Sequence, residues 1–210
     1  MSTAGCIDQL PFLGDEPLEF SASPASIPDP VLEETGYDEQ EIEEVVVEET
    51  FESTGQTQDV IVTNWQGEYD KAIDLSELPL SSDETVRAAV VTTLSTPQVR
   101  VLGRTFNPVA DVESAELAEM VQDRYGGVEG LEQVGEESVP VAGESTTVGE
   151  FEGQARHVGE GVSIDLTLHI AEAVESGDDF IVGVGGYPTR LRERERSHVF
   201  SMLEGIEHDD

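Results

Sequence analysis

Val162-Ser163-Ile164-Asp165-Leu166-Thr167-Leu168-His169-Ile170 alternates apolar and polar residues without a break. Side chains of a strand point to opposite faces in turn, so this run predicts a half-buried strand with Val162, Ile164, Leu166, Leu168 and Ile170 on the core side. His169 falls on the polar side and is expected at the surface. Working outward, Ser176-Gly177-Asp178-Asp179 reads as a turn into a further strand, Phe180–Gly186, and Gly143 as a turn between strands near Ser138–Val141 and Thr146–Arg156.

Toward the N-terminus, Glu43–Phe51, Asp59–Tyr69 and Thr85–Leu94 each carry strand alternation, and Ser53-Thr54-Gly55-Gln56 is a plausible turn between the first two. Pro97 and Gly103 bracket a shorter strand, Gln98–Leu102. Helical spacing marks three segments. Asp29–Thr35 has Pro30 in its first turn and Gly36 beyond its end; Ser114–Tyr125 places Leu117, Met120 and Val121 on one side; Arg192–Ile206 stripes Val199, Met202, Leu203 and Ile206. The order is strands, helix, strands, helix, without the alternation that a parallel doubly wound sheet needs. The expected fold is therefore α+β: a single domain over residues 29–208, mainly an antiparallel twisted sheet with two main helices packed on it. Residues 1–28, punctuated by Pro11, Gly14, Pro17, Pro24 and Pro28, are expected to form a flexible tether.

Forty-six acidic residues against ten basic ones give a formal charge of −36 over 210 residues, while 37% of the chain is hydrophobic. That apolar content, with periodic segments, belongs to a folded domain under a coat of carboxylates rather than to a disordered acidic chain. Spread on a sphere of radius ~22 Å, such a charge repels itself by roughly 40 kcal/mol in 0.1 M salt and about 15 in 1 M. The difference exceeds a typical domain stability of about 5–15 kcal/mol. With nine arginines and a single lysine, Lys71, the composition points to a protein of a halophile. The charge excludes nucleic acid as a partner and disfavours anionic membrane surfaces, because both need basic faces. No apolar run is long enough to span a bilayer.

Catalytic signatures are missing. His157, His169, His198 and His208 lack zinc-site spacing, there is no GxSxG elbow, and Gly183-Val184-Gly185-Gly186-Tyr187-Pro188 lacks both the third glycine at the required spacing and the Lys-Ser/Thr of a phosphate loop. Close packing at a strand end accounts better for those glycines. Paired carboxylates such as Asp178-Asp179 are too common here to mark a metal site, so neither metal nor cofactor is expected. Arg190, Arg192, Arg194 and Arg196 form the one basic cluster: either local ion pairs at a helix start, or a contact for an acidic partner. Trp65, Tyr69 and the Asn107-Pro108 turn are candidates for lining a pocket, with core packing the competing account of the aromatics.

The run Leu94–Asp111 (LSTPQVRVLGRTFNPVAD), Val62-Thr63-Asn64-Trp65, Glu116–Val121 (ELAEMV) and Glu172–Phe180 (EAVESGDDF) resemble a haloarchaeal surface lipoprotein family of unknown function, over most of residues 18–208. That family's export signal ends in Ala-Gly-Cys, which Ala4-Gly5-Cys6 matches; the resemblance implies lipid attachment at Cys6 and residence on the outer face of the cell membrane, or in the cytoplasm if Cys6 is left unprocessed. It implies no activity. The order of elements also resembles PsbP-like domains, which are α/β/α sandwiches serving mostly in binding or assembly. The expected function is a non-catalytic, membrane-anchored binding or assembly module for a protein or small molecule, the alternative being a soluble extracellular solute- or ion-binding protein.

Overall fold

The computed structural model describes residues 17–53, 56–73, 86–101, 104–105, 109–110, 112–124, 127–156 and 163–209. Cys6, Asn107 and His157 lie outside them. In chain order the elements are β1 Leu18–Ser21, β2 Ala25–Ser26, α1 Asp29–Thr35, β3 Asp38–Ser53, β4 Gln56–Ile73, β5 Val86–Pro97, β6 Arg100–Val101, β7 Arg104–Thr105 and α2 Ser114–Arg124. There follow β8 Val128–Val141, β9 Glu144–Arg156, β10 Ser163–Ala171, β11 Val174–Ser176, β12 Asp179–Pro188, a 3-10 turn Thr189–Leu191, α3 Arg192–Glu204 and β13 Glu207–His208.

One sheet dominates. Its strands run β3-β4-β5-β12-β10-β9-β8, every neighbouring pair antiparallel; β11 pairs with β12, and β1 adds to β4 in parallel. This overturns the expected α+β architecture and the PsbP-like sandwich. Among the described residues strand makes up 63% and helix 21%, a mixed sheet of nine strands with three helices. The imbalance arises because strands outgrow their alternating segments. β3 and β4 reach 16 and 18 residues, and β8 begins ten residues before the alternation near Ser138. In that added stretch Val128, Leu131 and Val134 stand three apart, a spacing foreign to a flat strand; register shifts at Glu129/Glu132 and Gln133/Gly135 absorb the extra residues as bulges. The β8–β9 hairpin closes on Ala142 and Gly143, both at positive φ (47° and 82°), the geometry of a two-residue turn matched to strand twist.

Part of the segment expected as a tether is built into the fold. Leu18–Ser21 lies beside Val60–Thr63 of β4, and Ala25–Ser26 pairs with Glu207–His208, so residues 18–26 belong to the fold.

The sheet separates two apolar cores. On one face α1 and α3 cover Tyr69, Val91, Ile181 and Tyr187. Here the glycines of β12 let the helix approach: a Cβ on Gly185 would lie 2.3 Å from Val199 Cγ1, and one on Gly183 2.6 Å from Leu203 Cδ2. On the other face α2 packs Leu117 and Ala118 against Phe151, Leu168 and Ile170.

Candidate functional site

β5 and β12 are apolar on both faces. Ala89 and Val91 point into the α3 core, while Val90, Thr92 and Leu94 point the other way; in β12, Ile181 and Tyr187 face α3, and Val182 and Val184 oppose them. Such strands need cover on both sides. On the α2 side the cover is partial. α2 is held over β8–β10: the Ser114 backbone N–H donates to Glu172 Oε1 (3.2 Å), the Leu131 N–H donates to Gln122 Oε1 (3.2 Å), and Ser114 packs on Gly149, where a Cβ would meet its Oγ at 2.5 Å.

Beside the helix a cleft of about 830 Å³ remains, within the range of small-molecule sites. Its floor is β5, β12 and β10, and Leu117, Met120 and Val121 of α2 form one wall. Val90 and Met120 stay 40% and 42% exposed, high for large apolar side chains in a packed domain. Gln66 and Glu68 of β4 form the polar margin, Gln66 Nε2 donating to Glu68 Oε1 at 3.0 Å. No lysine, arginine or histidine is among its described lining residues. This arrangement can hold an apolar body and orient a polar end; among its described lining residues there is no nucleophile–base pair. Among the described residues no group of three or more His, Cys, Asp or Glu could hold a metal ion.

The described candidate pocket residues, Trp65 and Tyr69, lie elsewhere. Trp65 and Tyr69 alternate with Gln66 and Glu68, so they point to the opposite face. Tyr69 is completely buried and its oxygen accepts the Ile27 N–H (3.1 Å); Trp65 Nε1 donates to the Ala22 carbonyl (3.0 Å). Both anchor the N-terminal segment on the sheet. The signal missed in the sequence was the double-sided apolar character of Ala89–Val91 and Phe180–Val184, which implies a second covered or cleft-bearing face.

The arginines divide. Arg192 bridges Glu150 and Glu152 of β9, and Arg196 bridges Glu137 and Glu150 while stacking over Phe200 at 4.5 Å. These two pin α3 to the sheet, and Arg194 pairs with Glu195 (2.7 Å). Arg190 is exposed. Ion pairing therefore engages at least three of the four, with β8 and β9 supplying most of the acids.

His169 is a correction: it is completely buried, because α3 covers the polar side of β10. Its Nε2 lies 2.8 Å from Tyr187 Oη and its ring meets Phe200 edge-on at 4.9 Å. Burial, with Arg196 and Arg192 nearby, lowers its pKa to about 4, so it is neutral; burial and Glu150 push Tyr187 up to about 12. His208 bridges Ser176 Oγ and Asp179 Oδ2, each 3.0 Å away, and Asp179 also accepts the Ser23 N–H (2.8 Å). These contacts fasten both ends of the described chain to the β11–β12 hairpin.

Fold and cleft together define an acidic, mostly β protein whose sheet carries a ligand-sized apolar hollow on the side away from α3. The chain belongs to the family defined by a domain of unknown function, DUF6517, whose model matches residues 24–207. No curated protein matches it. A crystal structure of a protein of unknown function from Pseudomonas aeruginosa is similar at 10% identity, covering 78% of this chain and 99% of that one; its TM-score of 0.35 is too low to define a shared fold.

Proposed function

We propose that this is a non-catalytic binding protein of a halophilic archaeon, anchored at the outer face of the cell membrane through Cys6, that takes an apolar ligand in the cleft beside α2. The observation carrying the binding role is the cleft itself: about 830 Å³ with mainly apolar walls, left open where both neighbouring strands are apolar on that face. Burying a ligand there removes apolar surface from water on both partners, at roughly 25 cal/mol per Å². The anchor rests on Ala4-Gly5-Cys6 and the resemblance to haloarchaeal surface lipoproteins, and the habitat on the charge of −36.

Trp65 is the only tryptophan and lies on the far face, so a Trp65→Phe/Thr92→Trp variant carries its fluorophore in the cleft. Titration with the apolar dye Nile red should give saturable energy transfer from the relocated indole, weakened by adding Met120→Glu. Transfer that never saturates, or is indifferent to Met120→Glu, removes the binding role. Intact mass of the protein from native membranes tests the anchor, and an unmodified Cys6 would remove it.

A further inference from the structure

Cross-strand partners share a face of a sheet, so the register reads directly across the open side. One row runs Glu41, Glu68, Thr92, Val184, and the next runs Glu43, Gln66, Leu94, Val182, through β3, β4, β5 and β12 in turn. With strands ~4.8 Å apart, each row spans on the order of 14 Å. Both pass from carboxylate or amide at the β3–β4 end to aliphatic side chains at β12. Glu41, Glu43 and Glu68 are exposed, and the Gln66 amide holds one Glu68 oxygen in place. Among the described residues, Lys71, Arg192, Arg194 and Arg196 engage Glu195, Glu137, Glu150 and Glu152 around α3, and Arg156 pairs with Glu129. The cleft thus has an apolar floor, an acidic margin on one side and no compensating positive charge in its described lining.

We infer that the cleft selects an amphiphile with a cationic head, its hydrocarbon body lying across β5 and β12 and its head against Glu68 and Glu41. This rests on the binding role proposed above and adds the charge class of the ligand. An anionic head would be repelled by the Glu68 and Glu41 carboxylates at close range, and a neutral one would gain no charge attraction from them. A head in contact with the carboxylates leaves no room for a salt ion between them, so 1 M salt, with a screening length of ~3 Å, weakens the preference without removing it.

Three single-chain twelve-carbon amphiphiles differing only in the head supply the test: dodecyltrimethylammonium, dodecanol and dodecanoate, each below its aggregation threshold, displacing Nile red at one fixed salt concentration that keeps the protein folded. The cation should bind about tenfold more tightly than the carboxylate, with the alcohol between them. Glu41→Gln/Glu68→Gln should bring the three within about threefold of one another. Glu33→Gln/Glu34→Gln removes the same charge from α1, on the other face, and should leave the order unchanged. Equal binding of all three heads, or equal effects of the two double variants, overturns the charge selectivity while the cleft still binds. Absence of Nile red binding overturns the underlying role instead.

Discussion

Lys71 Nζ lies 3.4 Å from Glu195 Oε2, joining the only lysine of the chain to a carboxylate with no exposure to solvent. The same ammonium donates to the Thr35 carbonyl at 2.7 Å, lies 3.0 Å from His198 Nδ1 and sits over the Tyr37 ring at 5.6 Å. Strand β4, the end of α1 and the first turn of α3 therefore meet on one side chain. Thr35 is the last residue of α1, whose carbonyls have no partner within the helix, so the lysine also caps that helix. A compact ammonium on a flexible stem serves several acceptors at once, which the planar fork of arginine does less well.

Removing that charge leaves Glu195 buried with Arg194 and His198 alone. Lys71→Met should cost about 3 kcal/mol, Lys71→Arg less, and Lys71→Met/Glu195→Gln less than the sum of the single changes. Urea denaturation at constant sodium chloride measures all of these. Burial raises the pKa of Glu195, but Arg194, Lys71 and His198 outweigh it and hold it below the ordinary value. The stability it contributes is then complete above the unfolded carboxylate pKa and lost as pH falls through the depressed native one. Additive single and double variants would show that Lys71 and Glu195 are not coupled.

His169 gives a second acid-side dependence. Unfolded, it takes up a proton at the ordinary 6.5; folded, only at about 4. Its contribution is complete above 6.5 and is lost as pH falls between these values, by roughly 3 kcal/mol in all. His169→Gln, able to donate to Tyr187 Oη without titrating, should be less stable near neutrality but have a flatter stability profile across that window. A slope unchanged by the substitution would place the proton uptake on other groups.

How far these features could be read in the sequence depends on whether their cause is local. The helix α1 coincides with Asp29–Thr35 because its signals are local: Pro30 in the first turn and Gly36 at φ +74° just beyond the end. Leu166, Leu168 and Ile170 do share a face, with Leu168 and Ile170 buried and Leu166 half-buried. His169 deceives because periodicity reports the polarity of a strand, whereas a helix some thirty residues later decides what covers it. The start of β8 hides its pattern behind bulges, and β1 and β2 are too short to alternate. The cleft depends on register: Glu68, Thr92 and Val184 become neighbours only once β4, β5 and β12 are paired. Trp65 and Tyr69 have the aromatic surface that suits a pocket, yet parity along β4 puts them on the face away from the cleft.

Salt dependence tests the charge coat. The described acids cluster along β3, β4, β8 and β9, and the arginine pairs of α3 offset only a few of them. Lowering salt from about 2 M to below about 0.2 M lengthens the screening distance several-fold and should abolish the near-ultraviolet circular dichroism of the folded state. Returning the salt should restore it. A melting temperature equal in dilute buffer and brine would remove the halophilic assignment.

The contact between β12 and α3 makes the sharpest packing prediction. A Cβ at Gly185 would stand 2.3 Å from Val199 Cγ1, with Val199 Cγ2 at 3.3 Å, and Val199 itself is completely buried. Gly185→Ala therefore forces the helix outward and loosens the Arg192 and Arg196 bridges to β9 along with it, at a cost of about 1–3 kcal/mol for an overpacked core. Val199→Ala alone opens a cavity and also destabilises. Together the two changes add one methyl at position 185 and remove both γ-methyls of Val199 across the same gap, so the double variant should be more stable than Gly185→Ala alone. Urea titration of the four proteins at one salt concentration measures the coupling; simple additivity would mean that α3 does not rest on Gly185.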